Sequence, residues 1–301
     1  MSRPSFIASA LFALALATSP ITGCKSDTSI NAKKYQEKTF PVKGRIISTD
    51  ATHVTLDHEA VPGFMEAMTM PYKLKDPSIV SELHPGDRIS ARIVVQQDDA
   101  GFRSPELDNI VVIAQARPDY KPEVQYNVPK PGDAVPDFKL INQDGKTIQI
   151  KQFRGKVLVV TFIYTRCPLA DYCPRMSHNF AEIDKALAVD PAQYSSTHLL
   201  SISFDPEYDT PAILRGYGAA YTGRHAKENF AHWDFAAPSS KDLSEITRYF
   251  GVGITPAEDK TLNHSLSTAV IDRQGRIATW FPTNDWKTEE LLDAIRKALS
   301  S

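Results

Sequence analysis

The sequence is short of several patterns that mark common classes of protein. Its 301 residues contain only three cysteines, too few for a scaffold held together by disulfides. The formal net charge is −2, and no basic tract is interleaved with aromatic residues, which argues against a nucleic-acid partner. A GxxxxGK[ST] phosphate-binding loop is also absent. What remains is a chain of ordinary globular composition, 42% hydrophobic and 23% charged, with a length typical of about two domains.

The first residues have the pattern of an export signal. Arg3 precedes an apolar run at residues 6–18, which is shorter than the roughly 20 residues that a membrane-spanning helix needs. The run leads to ITGC at residues 21–24, which resembles a bacterial lipobox, in which the cysteine receives the lipid. An ordinary signal peptide cleaved nearby is the alternative. Both predict a location outside the cytoplasm, and the lipobox predicts a periplasm-facing lipoprotein of the bacterial cell envelope, anchored through Cys24.

Lipidation of Cys24 would leave one thiol pair, Cys167 and Cys173. In an oxidising compartment, a single close pair is a structural disulfide, a redox couple or a soft-metal site. Pro174 suits the first position of a helix, because its missing N–H is not needed there. Cys173 would then lie at the N-cap, where the helix dipole favours thiolate and lowers the thiol pKa. The five residues between the cysteines must bulge outward if the two sulfurs are to meet.

The pattern of apolar residues changes at a proline-rich stretch. Short alternating runs before it predict a small all-β, OB-like barrel of about five strands. Continuous β-branched runs and helical segments after it follow the order β-α-β-α-β-β-α, which is that of a thioredoxin-like α/β fold. Proline at this density predicts a semi-rigid spacer. The predicted divisions are a lipoprotein signal peptide (1–23), a tether (24–38), the barrel (39–115), a proline-rich linker (116–131) and the thioredoxin-like domain (132–301).

Methionine is concentrated in one stretch of the predicted barrel. Three of the five methionines are Met65, Met68 and Met70, and His58 lies just upstream. Thioether and imidazole suit Cu(I), a soft cation, and the alternative is that the methionines fill the core of a small barrel. With its MTM segment at 68–70, the stretch resembles the CusF-like periplasmic copper-binding barrels. Met65 stands where that family has a tryptophan that caps the copper, and is therefore a fourth candidate ligand.

A histidine further along the chain offers a third ligand to the cysteine pair. His264 precedes the first of the last two predicted strands, and in a thioredoxin-like fold this loop faces the helix that carries the cysteines. Two thiolates and one imidazole make a three-ligand set for Cu(I) or Cu(II), and the alternative is a histidine on a surface loop. Thioredoxin-like reductases place a proline directly before this strand, where this chain has Leu266 and Ser267. Asp171, within the wide cysteine gap, and His178, one turn into the helix, are further ligand candidates.

Several short segments between residues 130 and 300 match one family. They are GKV at 155–157, TRCP at 165–168, CP at 173–174, SFDPE at 203–207, HW at 232–233, NHS at 263–265 and IDRQGR at 271–276. Together they resemble the SCO/SenC family of copper chaperones for cytochrome c oxidase. The resemblance implies a thioredoxin-like fold with copper held by Cys167, Cys173 and His264. The family usually has a shorter gap between its cysteines.

These patterns predict a lipid-anchored metallochaperone, rather than an enzyme, with two copper sites. The barrel would capture Cu(I), and the thioredoxin-like domain would hold copper and hand it on. The resemblance implies that the recipient is the subunit of a cytochrome c oxidase that carries the CuA centre. Two alternatives stay open. The same dithiol could serve a thiol–disulfide oxidoreductase that acts on the cysteines of the oxidase copper site, or the chain could be a periplasmic copper-buffering or resistance protein.

Overall fold

The computed structural model describes residues 35–98, 101–117, 119–120, 128–170, 172–224, 228–256, 261–284 and 286–301. The signal peptide, most of the tether, Cys24 and Asp171 lie outside these residues, and so do the predictions made for them. Residues 35–301 form one unit by their contacts, in which a β-barrel is followed by an α/β part. Among the described residues, no helix has the length and apolar character needed to cross a membrane.

The barrel is built from five strands whose side chains alternate between its interior and solvent. The strands are β1 (Gln36–Thr49), β2 (His53–His58), β3 (Met68–Leu74), β4 (Arg88–Asp98) and β5 (Gly101–Ala114). They close in the order β1-β2-β3-β5-β4, with β4 pairing back onto β1. In β2 the interior positions Leu56 and His58 are buried, whereas Asp57 between them is exposed, as the two-residue period of a strand requires. The predicted small all-β barrel is present.

A seven-stranded sheet forms the centre of the α/β part. Its order is β14-β13-β8-β9-β10-β6-β7, and a separate hairpin is made of β11 and β12. The strands are β6 (Lys139–Asn142), β7 (Thr147–Gln149), β8 (Val157–Ile163), β9 (Thr197–Ser203), β10 (Trp233–Ala237), β11 (Ile254–Pro256), β12 (Leu262–His264), β13 (Thr268–Ile271) and β14 (Ile277–Phe281). The helices are α1 (Cys173–Leu187), α2 (Pro191–Ser195), α3 (Pro211–Thr222), α4 (Leu243–Tyr249) and α5 (Thr288–Leu299).

The core of this part holds the start of α1 and the end of β8 in place. Every residue of the parallel neighbours β8 and β9 is buried, which explains their continuous apolar sequences. Phe180 of α1 and Ile295 of α5 are fully buried in the same core. Burying side chains of this size stabilises a fold by about 1.5–3 kcal/mol each. The segment that leaves β8 and the first turn of α1 are therefore anchored on a rigid base.

The α/β class is confirmed, but the order of elements is longer than predicted. A hairpin of β6 and β7 precedes β8, β10 lies between α3 and α4, and the hairpin of β11 and β12 precedes β13. The five residues of β10 are all buried, and so short an apolar run shows no period that distinguishes strand from helix. Helix α1 begins at Cys173 and follows Tyr172, so Cys173 is the first helical residue rather than the N-cap.

Candidate metal centres

Three residues from distant parts of the chain meet at one end of the central sheet. Cys167 follows β8, Cys173 begins α1, and His264 ends β12. The two sulfurs and one ring nitrogen of these residues all lie within 4.8 Å of one another. Cys173 Sγ is 3.7 Å from His264 Nε2. The structure thus brings together the residues that the sequence singled out, and their role as ligands stays a prediction.

His264 is buried and held in one orientation. Its Nδ1 lies 2.9 Å from the carbonyl oxygen of Ser265. Because a carbonyl oxygen only accepts, Nδ1 carries the proton and donates, which leaves the lone pair of Nε2 directed to Cys173. The rings of Phe204 and Tyr164 pack against the imidazole, with centroids 4.6 Å and 5.5 Å away. The alternative of a surface-loop histidine is wrong.

The two thiols lie in different environments. Cys173 is fully buried, which raises its pKa, although its Sγ accepts a hydrogen bond from the Tyr164 N–H at 3.4 Å. Cys167 is partly exposed, and the hydrogen bond from Cys173 lowers its pKa to about 4, with a further contribution from His264. The expected low pKa at Cys173 is therefore wrong, because burial outweighs the effect of the helix start. Cys167 is the thiolate of the pair.

The wide gap between the cysteines forms a compact turn. The Tyr172 N–H donates to the Leu169 carbonyl oxygen at 3.1 Å, and Cys167 Sγ lies 3.8 Å from the same oxygen. Cys167 and Cys173 therefore approach each other with the intervening residues looped outward, as expected. Of the further candidates, His178 is outside the group, and its ring meets that of Tyr221 at 5.0 Å.

A buried carboxylate that the sequence analysis missed holds the segment before Cys167. Asp209 accepts a hydrogen bond from the Thr165 N–H at 3.0 Å and others from the hydroxyls of Thr165 and Ser203. Burial raises the pKa of Asp209, while these donors oppose the rise. The neighbouring Arg166 Nε donates to Asp205 at 2.8 Å. Nothing in local spacing indicates the pairing of Thr165 with Asp209, because 44 residues separate them.

A second candidate centre lies inside the barrel. His58 pairs with Met68 in the antiparallel register of β2 and β3, and Leu56 pairs with Met70, so these four side chains share the interior face. His58 Nδ1 lies 2.7 Å from the Glu59 carbonyl oxygen and therefore donates to it. The buried Nε2 has no hydrogen-bond partner within the described part of the chain. Burial lowers the pKa of His58 and keeps the ring neutral, so a free lone pair stands beside thioether sulfur, a donor set that suits a soft metal.

Met65 approaches this centre from the loop before β3. The hydroxyl of Tyr72 donates to Met65 Sδ at 3.4 Å, and the fully buried Tyr72 ring meets His58 edge to face at 5.8 Å. Phe64 instead stacks on Phe40 at 4.8 Å. Tyr72 is thus an aromatic residue in contact with two candidate ligands, in a barrel whose sequence lacks the family's tryptophan.

Comparison with known families gives the same division of the chain. Residues 39–103 match the family model of the copper binding periplasmic protein CusF. Residues 127–300, more than half of the chain, match the SCO1/SenC family model. The chain belongs to the SCO1/SenC family. The resemblance inferred from the short segments of the sequence is confirmed, together with the resemblance of the barrel to CusF.

Individual SCO relatives resemble about half of the chain. The SCO1 protein homolog of Bacillus subtilis is 32% identical over 146 residues, which cover 48% of this chain and 70% of that protein. The SCO2-like protein of Rickettsia conorii is 26% identical over 163 residues, which cover 53% of this chain and 74% of that protein. A solved structure, that of a SCO1/SenC family lipoprotein from Bacillus anthracis, covers 57% of this chain and 99% of its own, with 24% identity and a TM-score of 0.49.

Proposed function

We propose that this SCO1/SenC protein is a copper chaperone of the bacterial cell envelope. It holds copper at Cys167, Cys173 and His264 and delivers it to the CuA centre of a cytochrome c oxidase during assembly. The observation that carries the proposal is the convergence of two sulfurs and one imidazole lone pair within 4.8 Å. The CuA recipient rests on family membership, because the family resemblance implies that role. Lipid on Cys24 would anchor the chain at the periplasmic face of a membrane.

The barrel supports copper rather than zinc as the metal. Thiolates and imidazole also suit Zn²⁺, so the Cys167, Cys173 and His264 group alone does not decide between the two metals. Thioether sulfur prefers the softer Cu(I), and the match of residues 39–103 to a copper-binding family agrees with that preference. The barrel would capture Cu(I) through His58 and the methionines Met65, Met68 and Met70.

A transfer experiment tests the delivery step. The copper-loaded full chain in detergent is mixed with the reduced, copper-free CuA domain of an oxidase subunit, and metal analysis follows separation of the two proteins. We expect copper on the CuA domain, and much less when the donor is Cys167→Ser/Cys173→Ser, whose barrel is unchanged. Copper that stays on the wild-type chain would contradict delivery and is the result that a buffering protein gives.

The thiol pair also favours a second candidate function, reduction of the recipient's cysteines. Cys167, with a pKa of about 4, would attack a recipient disulfide, and Cys173 would then displace the mixed disulfide. The recipient gains two thiols, and this chain gains the disulfide. His264→Ala separates the two functions, because delivery needs the imidazole as a ligand and disulfide exchange does not. Counting thiols on an oxidised CuA domain after mixing it with copper-free chain measures the reductase activity.

A further inference from the structure

The barrel and the α/β part touch at the backbone beside both candidate centres. A Cβ placed on Gly253 would lie 2.3 Å from the Thr69 carbonyl oxygen, closer than the 3.0 Å that real Cβ atoms keep. The same position is 3.5 Å from Met68 Cε, so the methyl end of the Met68 thioether reaches this contact. Thr69 itself stands between Met68 and Met70 in β3. Only glycine at position 253 permits this approach.

On the other side of the contact, Gly253 is tied to the residue next to His264. The Gly253 N–H donates to Ser265 Oγ at 2.8 Å, and the Ser265 N–H donates to the Gly253 carbonyl oxygen at 3.0 Å. The Ser265 carbonyl oxygen in turn accepts the hydrogen bond from His264 Nδ1 that orients the imidazole. The interface thus lies one residue from His264 on one side and one residue from Met68 on the other.

Two tyrosines link the centres independently of Gly253. Tyr72 contacts Met65 and His58 in the barrel. Tyr172 meets His264 edge to face at 5.7 Å. Burial raises the pKa of Tyr72, and the charge of an ionised Tyr172 raises it further, so the two phenols lie within electrostatic range of each other. The centres therefore face the same region of the interface.

We propose that Cu(I) passes directly from the barrel to the Cys167, Cys173 and His264 group across the Gly253 contact, with Met68 as the last barrel ligand to let go. This inference rests on the proposed copper function and adds a route within the chain. The direction follows from the donors, because the barrel offers neutral thioether and imidazole groups and the acceptor offers anionic thiolates, which bind a soft cation more strongly.

The step is a ligand exchange that leaves copper in the +1 state. The bonds from copper to His58 Nε2 and to the thioether sulfurs break. Bonds to the two thiolate sulfurs and to His264 Nε2 form. Cys167 is already a thiolate, whereas Cys173 releases its proton to water as the metal binds. No electron moves, and no further reactant is needed.

The route is tested by asking whether copper enters the solvent. Full chain in detergent, with Cys167 and Cys173 oxidised to a disulfide, is loaded with Cu(I) in the barrel alone. A phosphine reductant then opens the acceptor group in the presence of a water-soluble Cu(I) chelator. Cu(I)–thiolate absorption reports arrival, and chelator absorption reports escape. Neighbouring sites in one chain have millimolar effective concentrations, so we expect Gly253→Ala to lose roughly tenfold more copper to a micromolar chelator than the wild type.

The matched control is Gly216→Ala in α3, which also adds one methyl group. A Cβ there meets no atom of the described residues within 4 Å, so this variant should partition copper as the wild type does. Equal escape from Gly253→Ala and Gly216→Ala would overturn the direct route and leave the proposed function standing. Absence of any thiolate signal in the wild type would overturn the proposed function, and the route with it.

A measurement on the wild type keeps the test independent of how well Gly253→Ala folds. The amount of copper that reaches the thiolates is compared over a tenfold range of chelator concentration. Direct passage predicts the same arrival throughout, because the ion is never free. Arrival that falls in proportion to the chelator would refute the inference.

Discussion

His58→Leu should make the copper-free barrel harder to open while removing its copper site. In the copper-free chain, His58 Nε2 is buried with no partner among the described residues, and the ring is neutral because burial lowers its pKa. Leucine has a similar volume and no polar atom, and it would face Leu56 and Met68 on the interior of the barrel. The substitution therefore separates the stability of the barrel from the binding of metal.

The expected magnitude follows from the contacts of the imidazole. An unpaired buried polar atom costs about 1–3 kcal/mol, and leucine removes that penalty. Loss of the Nδ1 hydrogen bond to Glu59 costs about 1 kcal/mol, which extra apolar burial of similar size offsets. We therefore expect the free energy of barrel opening to rise by about 1–3 kcal/mol. Cu(I) at a hundred times its dissociation constant would stabilise the wild-type barrel by about 2.7 kcal/mol and should have little effect on the variant.

Native-state hydrogen exchange at the amides of β2 and β3 measures this opening. Exchange in the copper-free His58→Leu chain should be slower by roughly fivefold or more, since 1.4 kcal/mol is a factor of ten. Met68→Leu is the control, because it removes a thioether, keeps the volume and leaves Nε2 as it is. Faster exchange in copper-free His58→Leu would refute the claim that the nitrogen lacks a partner. Equal protection of wild type and His58→Leu by Cu(I) would remove His58 from the site.

The α/β part offers further tests at its thiols, its buried carboxylate and a buried histidine. Iodoacetamide at pH 6 should label Cys167, a partly exposed thiolate with a pKa of about 4, and spare the buried Cys173; equal labelling in mass spectrometry would contradict this assignment. Asp209→Ala, which leaves the Thr165 N–H unpaired, should cost about 2–4 kcal/mol in urea unfolding and weaken copper binding at the thiols but not in the barrel. Burial lowers the pKa of His198, so the stability that it contributes is present above its unfolded pKa of about 6.5 and is lost as the pH falls towards the folded value. Urea midpoints should therefore fall between pH 7 and pH 5, and an unchanged fall in His198→Gln would exclude this histidine as a cause.

The elements that the sequence predicted best are those with a clear hydrophobic period. Alternation indicates the strands of the barrel, and the continuous apolar runs indicate β8 and β9, because both of their faces are buried. The short strand β10 was missed because five buried residues resemble any apolar stretch. The hairpin of β11 and β12, three residues in each strand, depends on pairing across the loop rather than on local composition.

The site was predictable by residue type and not by electrostatics. Cysteine, histidine and clustered methionine are unusual enough that the sequence alone marks them as candidate ligands. Which thiol ionises depends on burial, and the structure reverses the expected order of Cys167 and Cys173. Asp209 and Gly253 act through partners far away in the chain, so neither shows a local signal.

A Cu(I) titration of the full chain in detergent against a competing chelator tests the central claim most directly. It compares wild type with Cys167→Ser/Cys173→Ser. Two soft-donor centres predict about two tightly bound ions in the wild type and about one in the variant, whose barrel is intact. Equal stoichiometry in the two chains would contradict copper binding by the cysteine pair.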